Sequence, residues 1–195
     1  MAMGRPREFD TEKALGLALQ VFWRKGYEGA SMADLTETMG ITKPSLYAAF
    51  GNKEELFRKA LDRYVDGPGG YFQAALLKPT AREVVEHVLY QSADALTNPA
   101  TPGCLAVQGA LSCGEAAETI KQELMARRAK SEDDLRQRFV RAVEEGDLGE
   151  DCDAADLARY ISAIMQGMAV QAAGGVGRDQ LRKIADMTLR NWPPA

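Results

Sequence analysis

Apolar residues recur at helical spacing along almost the whole chain, and no stretch alternates between apolar and polar positions as a half-buried strand would. The pattern therefore predicts an all-α protein. A first helix begins at Asp10, a favourable N-cap residue, and ends at Gly26. Its apolar stripe contains Leu15, Ala18, Leu19 and Phe22.

Three shorter helices follow, each with a capping residue. Ser31 begins the second helix, with Asp34 at the position of a capping-box acid, and Gly40 ends it. Thr42 caps the third helix, which carries Pro44 in its first turn. Gly51 closes this helix, and Asn52 caps the fourth with Glu55 as its partner.

The segment Gly67-Pro68-Gly69-Gly70 is the clearest break in the chain, and it separates short helices from longer ones. Beyond it the periodicity predicts helices at about 80–97, 103–113, 116–145, 153–174 and 178–191. Two uncharged windows, 95–114 and 160–177, contain Pro, Gly or Gln. We therefore interpret both as surfaces buried within a protein or a dimer, with no membrane span.

Composition narrows the class of protein. The chain has 195 residues and a net charge of −4; residues 1–65 carry ten basic against nine acidic side chains, and residues 66–195 carry fourteen against nineteen. The amino-terminal third is thus the relatively basic part.

A single histidine, His87, and three cysteines without CxxC spacing predict no metal, no cofactor and no disulfide framework. The charged start lacks a signal peptide, which favours a cytoplasmic protein.

An all-helical enzyme is the main alternative from another class. The sequence contains no GxSxG, no Walker-type loop and no paired-carboxylate motif, so we expect no catalysis. The Gly174–Gly177 cluster is interpreted as a helix break, since no strand precedes it and no Lys-Ser/Thr follows.

The strongest functional signal lies at 31–50, where two short helices flank the tight turn Gly40-Ile41-Thr42 in a helix-turn-helix pattern. The second helix of such a unit enters the major groove with its first residues facing base edges. Here those residues are Thr42, Lys43, Pro44 and Ser45, and Tyr47 on the same helix is placed to donate to a phosphate. The alternative is a helical hairpin within a core, and the exposed residues of the second helix must distinguish between these two interpretations.

Two further basic features favour DNA. Lys53 lies at the start of the fourth helix, where the macrodipole disfavours a cation unless an external phosphate docks there; simple solvation is the alternative. Arg5 and Arg7 precede the first helix and suit an arm that reaches the minor groove or backbone, although such a tail is often only solvated.

The stretches GRPREFD (4–10), FWRKGYEGAS (22–31) and ADLTETMGITKPSLYAAFGNKEELF (33–57) resemble the DNA-binding region of TetR-family transcriptional regulators. The resemblance implies a three-helix helix-turn-helix domain over residues 1–66 and a helical ligand-binding and dimerisation domain over 67–195. It also implies a repressor of operator DNA that a small molecule releases. Tyr47 and Lys53 would hold phosphates, and Ser31 would cap its helix and touch the backbone. A constitutive architectural DNA binder is a third alternative.

The resemblance further implies a homodimer through 153–174 and 178–191, and an effector pocket within residues 71–195. The apolar residues that suit the dimer face, or alternatively an intramolecular core, are Ile161, Ile164, Met165, Met168, Val170, Leu181, Ile184 and Leu189. The candidate pocket residues, each of which could instead be core, are Phe72, His87, Tyr90, Cys104, Leu105, Gln108, Met125, Met165 and Met168.

Cys104 follows Pro102-Gly103 and falls in the first turn of a predicted helix, where amides and the helix dipole stabilise a thiolate. Gly103-Cys104-Leu105 also resembles a sequence of family members that sense oxidants or electrophiles. The alternatives are therefore a thiol-based sensor and an inert buried thiol. Cys113, nine residues further on, lies too far along a straight helix for a disulfide with Cys104 without movement.

Overall fold

The computed structural model describes residues 9–112 and 117–193, and within those ranges the chain is helical without strands. The predicted all-α fold is confirmed. The helices are α1 (Thr11–Gly29), α2 (Met32–Met39), α3 (Lys43–Phe50), α4 (Lys53–Asp66), α5 (Tyr71–Leu76), α6 (Ala81–Leu96), α7 (Leu105–Ser112), α8 (Glu118–Glu144), α9 (Ala154–Ala173) and α10 (Arg178–Arg190).

The predicted helix caps are confirmed. The side chains of Ser31 and Asn52 accept hydrogen bonds from backbone amides three residues ahead, and Asp34 and Glu55 complete both capping boxes. Gly40 takes the left-handed conformation, with φ of 67°, at the end of α2. Only glycine adopts this conformation at little cost, which explains the sharp turn into α3.

Gly26 has non-helical backbone angles, φ of 69° and ψ of 175°, so the first regular stretch of α1 ends there as predicted, and a further turn reaches Gly29. Two details differ from the sequence-based expectation. Residues 71–76 form the unpredicted helix α5, which buries Phe72. Cys104 precedes α7, whose first residue is Leu105, and Gly103, with φ of 79°, also lies outside the predicted helix.

Two cores divide the chain. The first is built on α1 to α4, where Phe22, Leu46 and Phe57 are fully buried; each such side chain contributes about 1.5–3 kcal/mol. Leu105 and Leu124 complete this core from α7 and α8. The division into two domains at 67–70 stays a prediction, and α7 and α8, which follow that boundary in sequence, pack against the first core.

The second core joins α5, α6, α9 and α10 with the carboxyl-terminal half of α8. Several residues proposed for the dimer face belong to it. Ile161, Met168, Leu181 and Leu189 are all buried within the single chain. For these four residues the alternative of an intramolecular core is correct, because α6 and α8 cover this side of α9 and α10. Among the described residues, no helix is both long and apolar enough to cross a bilayer.

Candidate functional site

The amino-terminal end of α3 is an exposed surface on a rigid support. Lys43, Pro44 and Tyr47 are exposed, whereas Leu46 and Phe50, on the opposite side of the same helix, are buried in the first core. The Lys43 Nζ lies 6.0 Å from the centre of the Tyr47 ring, so these two side chains form one polar edge. One face of α3 is therefore anchored in the first core and the other is presented to solvent, as the helix-turn-helix interpretation requires.

The turn before α3 presets its first residues. Thr42 Oγ1 accepts a hydrogen bond of 3.3 Å from the Ser45 amide and lies 2.9 Å from the Ser45 hydroxyl. Thr42 is exposed and Ser45 half-buried. Both hydroxyls therefore stand at the helix end with fixed positions, which suits contact with an anionic or polar partner.

Lys53 is held by α1. Its Nζ lies 4.6 Å from the centre of the Tyr27 ring and 3.5 Å from the Glu28 carbonyl oxygen. Partial burial lowers the pKa of Lys53, and the nearby Glu28 carboxylate opposes that shift. The ammonium is thus positioned by the protein before any partner arrives. Sequence reasoning missed the role of Tyr27, which comes from contact across 26 residues of chain.

The start of α2 is fixed by an ion pair. Asp34 accepts hydrogen bonds from the Ser31 amide at 3.0 Å and the Ser31 hydroxyl at 2.7 Å, and it pairs with Lys25 at 2.6 Å. The Lys25 ammonium and the Ser31 donors hold the pKa of Asp34 well below its usual range. Ser31 remains exposed. Arg5 and Arg7, the predicted arm, lie outside the described residues.

A cavity of about 160 Å³ lies between the two cores. Three of the predicted pocket residues, Phe72, Cys104 and Met165, line it. The other residues of its wall come from α4 to α9 and are mainly apolar; they are Leu61, Tyr64, Val65, Gly69, Tyr71, Gln73, Ser92, Leu96, Ala106, Val107, Arg127, Arg128, Ser131, Ser162, Gln166 and Ala169.

The other predicted pocket residues lie elsewhere. His87 and Tyr90 line a separate groove beside Lys78 and Glu83, because they occupy the outer side of α6. The structure places the rest as follows: Leu105 and Met168 are buried in the two cores, Met125 is exposed, and the side chain of Gln108 donates to the Pro102 carbonyl. Burial lowers the pKa of His87, with the nearby Lys78 ammonium adding to the shift.

Hydroxyl groups make the polar part of the cavity wall. The Tyr64 hydroxyl donates to the Cys104 Sγ at 3.2 Å, and the Ser92 hydroxyl donates to the Tyr71 hydroxyl oxygen at 3.1 Å. Burial raises the pKa of Tyr71 to about 12 and raises that of Tyr64 well above its ordinary value. Both phenols are therefore neutral at physiological pH, and Tyr64 acts as a donor while Tyr71 acts as an acceptor.

The cavity wall is connected to α4, the last helix of the first core. Arg127 pairs with Asp62 at 2.7 Å, and Arg58 pairs with Glu123 at 2.7 Å, so that α8 is fastened to α4 twice. A molecule that entered the cavity would contact Tyr64 on α4 directly. Within the described ranges, no cluster of three or more metal-ligating side chains is present.

Three large apolar side chains on α9 and α10 are exposed. Tyr160 and Val170 are 48% and 50% exposed, and Met187 on α10 is 56% exposed. Between the first two lies Gly167, where an added methyl group would meet no atom within 4 Å beyond its own helix backbone. These exposed positions, rather than the buried Ile161, Met168, Leu181 and Leu189, are available for contact with a second chain.

Comparison with known proteins identifies relatives over both parts of the chain. Residues 14–60 match the family described as bacterial regulatory proteins, tetR family, and residues 81–185 match the tetracyclin repressor-like C-terminal domain. The chain is 36% identical over 193 residues to the HTH-type transcriptional repressor ComR of Escherichia coli (strain K12), covering 97% of this chain and 92% of that protein. It is 31% identical over 208 residues to the repressor BdcR of the same organism, covering 94% and 89%.

A solved structure matches the whole architecture. It is a cysteine-substituted form of the TetR family transcriptional regulator CifR in complex with a 26-base-pair double-strand operator DNA. The identity is 43%, the TM-score is 0.91, and the match covers 97% of this chain and 100% of that one.

Proposed function

The chain belongs to the TetR family of DNA-binding transcriptional regulators and is not an enzyme, and on that premise we propose that it is a dimeric repressor released from its operator by a small molecule. The observation that carries this proposal is the exposed end of α3 on a buried support. The names of ComR and BdcR, both repressors, favour repression.

The proposed operator contacts follow from exposure at α3 and α4. Thr42, Lys43, Pro44 and Ser45 would face base edges, as the first residues of a recognition helix do. Tyr47 would donate its hydroxyl to a phosphate. Lys53, already held against Tyr27, would meet the next phosphate along the backbone, and Ser31 would approach the same strand from α2. Arg5 and Arg7 would extend this footprint into the minor groove.

The proposed dimer uses the exposed face of α9 and α10. Gly167 would allow two α9 helices to approach closely, with Tyr160, Val170 and Met187 packing around the contact. Two subunits would present two α3 helices to half-sites about one DNA turn, roughly 34–36 Å, apart.

The proposed release mechanism runs through α4. A bound effector would press on Leu61, Tyr64 and Val65, which lie on the same helix that begins at Lys53. A small rotation of α4 would change the separation of the two α3 helices. Coupling of this kind is usually worth about 1–3 kcal/mol, or roughly 5–150-fold in affinity.

Reaction at Cys104 is a second candidate trigger. Its thiol lines the cavity and accepts a hydrogen bond from Tyr64. Cys152 supplies a matched control, because burial and the flanking aspartates raise its pKa. If Cys104 is the sensor, a mild electrophile such as N-ethylmaleimide should release operator from the wild type and from Cys152→Ser, and not from Cys104→Ser. Release from Cys104→Ser at the wild-type rate would exclude this trigger.

The proposed function is tested by selecting bound fragments from genomic DNA with the purified chain. We expect an inverted repeat whose half-sites are one helical turn, or a small multiple of it, apart. On a randomised operator library, Lys43→Ala should relax the base preference at one position of each half-site by about 1–3 kcal/mol. Enrichment of no sequence at low salt would overturn the proposal, and transcription in vitro from the selected site distinguishes repression from activation.

A further inference from the structure

Arg128 is a cation of the cavity wall that has no charged partner among the described residues. Arg128, on α8, lines the wall, and its Nη1 reaches Gln166 Oε1 on α9 at a long 3.4 Å. Its Nε is buried and has no hydrogen-bond partner in the part of the chain that the structure describes. A buried N–H group without an acceptor is destabilising, so the described residues do not supply all the hydrogen bonds that this guanidinium can make.

The neighbouring arginine on α8, Arg127, differs from Arg128 because its guanidinium has charged partners. Arg127 also lines the cavity, but it pairs with Asp62 at 2.7 Å and Glu123 at 3.0 Å. By contrast, no carboxylate lies within ion-pairing distance of Arg128 in the described ranges, and none of the described wall residues is acidic. The wall therefore presents one uncompensated positive charge within a mainly apolar enclosure.

Building on the proposed function, the geometry points to a small organic carboxylate as the effector, with Arg128 as its anchor. A carboxylate would accept hydrogen bonds from the terminal Nη atoms of the Arg128 guanidinium, in the planar arrangement that this pair of groups favours. Gln166, on the facing helix, would orient the other edge of the guanidinium. The apolar body of the ligand would lie against Phe72, Val107 and Met165.

The size of the cavity limits the body of this ligand. A cavity of roughly 150 Å³ accommodates benzene, so a volume of about 160 Å³ suits a body of similar size. A single uncompensated cation also matches one carboxylate better than a phosphate dianion, whose second charge would remain unpaired in an apolar enclosure. Benzoate and hexanoate are therefore suitable probes, with benzamide and hexanamide as neutral counterparts of nearly the same shape.

The experiment measures probe affinity by calorimetry on the full-length chain and three variants. The wild type should bind the carboxylates about tenfold or more tightly than the matched amides, because a hydrogen bond to a charged group is lost with the amide. Arg128→Gln should remove this preference. Gln166→Glu should remove it too, since it supplies an internal carboxylate to Arg128. Arg136→Gln, on α8 but outside the described cavity wall and paired with Asp133, should keep the preference.

Operator retention without any probe is measured on every variant, because this keeps the inference separate from the proposed function. Variants that retain operator are folded, and their carboxylate preference then tests Arg128 alone. Equal binding of acids and amides by the wild type, no binding of either acid, or an unchanged preference in Arg128→Gln would each overturn the inference. Loss of operator binding by the wild type would instead overturn the proposed function.

Discussion

The indole Nε1 of Trp23 donates a hydrogen bond of 3.2 Å to the carbonyl oxygen of Gly103 across 80 residues of chain. Trp23 also packs edge-on against Tyr64, with ring centres 4.7 Å apart, and Tyr64 in turn donates to the thiol of Cys104. The two residues that precede α7 are thus fastened to both α1 and α4. A movement of Gly103 and Cys104 would therefore also move residues of the first core.

Trp23→Phe should therefore destabilise the chain. The substitution leaves the Gly103 carbonyl without its donor, which costs about 1–3 kcal/mol of unfolding free energy. Urea unfolding monitored by circular dichroism measures the change. Trp192→Phe is the control, since Trp192 is half-buried and packs against Phe139 at the far end of the chain. Equal losses of unfolding free energy in both variants would mean that the Trp23–Gly103 hydrogen bond makes no contribution of its own to stability.

The capped helices of the first core could be predicted because their determinants are local. Ser31 and Asp34, like Asn52 and Glu55, are three residues apart, so the sequence places each donor beside its acceptor whatever the tertiary fold. The exposed face of α3 follows from the same local logic, since Leu46 and Phe50 fix which side is buried.

The cavity could not be predicted in this way, because its wall comes from six helices. Arg128 and Gln166 meet across 38 residues, and nothing in the periodicity of either helix indicates that contact. For the same reason, apolar spacing could identify Met168 as a residue that faces inward. It could not show that Met168 packs in the second core while Met165 lines the cavity. Helix α5 was missed because it depends on burial of Phe72 rather than on a cap.

Lys53→Ala should weaken binding to all DNA alike and reduce its salt dependence. Loss of one phosphate contact lowers the slope of log affinity against log salt by about 0.9 for each subunit. Titrations at several salt concentrations measure the slope, with Lys130→Ala as a control on α8, where that side chain pairs with Asp134. An affinity loss with an unchanged slope would mean that Lys53 acts only through its contact with Tyr27.

Asp34 should make stability depend on pH in the acidic range. Its pKa is lowered in the folded chain by Lys25 and Ser31, so folding favours the ionised carboxylate. This contribution is fully present above the ordinary aspartate pKa of about 3.9 and is lost as the pH falls below it toward the folded value. The stability difference between wild type and Asp34→Asn should thus shrink between about pH 5 and pH 3. A difference that stays constant over this range would contradict the assignment.

A substitution at Gly167 should prevent dimer formation without unfolding the single chain. An added methyl group meets no atom within 4 Å beyond the helix backbone, and alanine favours a helix interior by about 1 kcal/mol over glycine. Gly167→Glu should therefore leave the single chain folded, while it places like charges at the centre of the proposed contact between two α9 helices. Sedimentation velocity should show monomers and gel shifts should show weak operator binding, because one subunit engages only one half-site.

The control variant is Ala155→Glu, at an exposed position elsewhere on α9, and it should remain dimeric. A dimeric Gly167→Glu that binds operator normally would mean that the subunits meet through another surface.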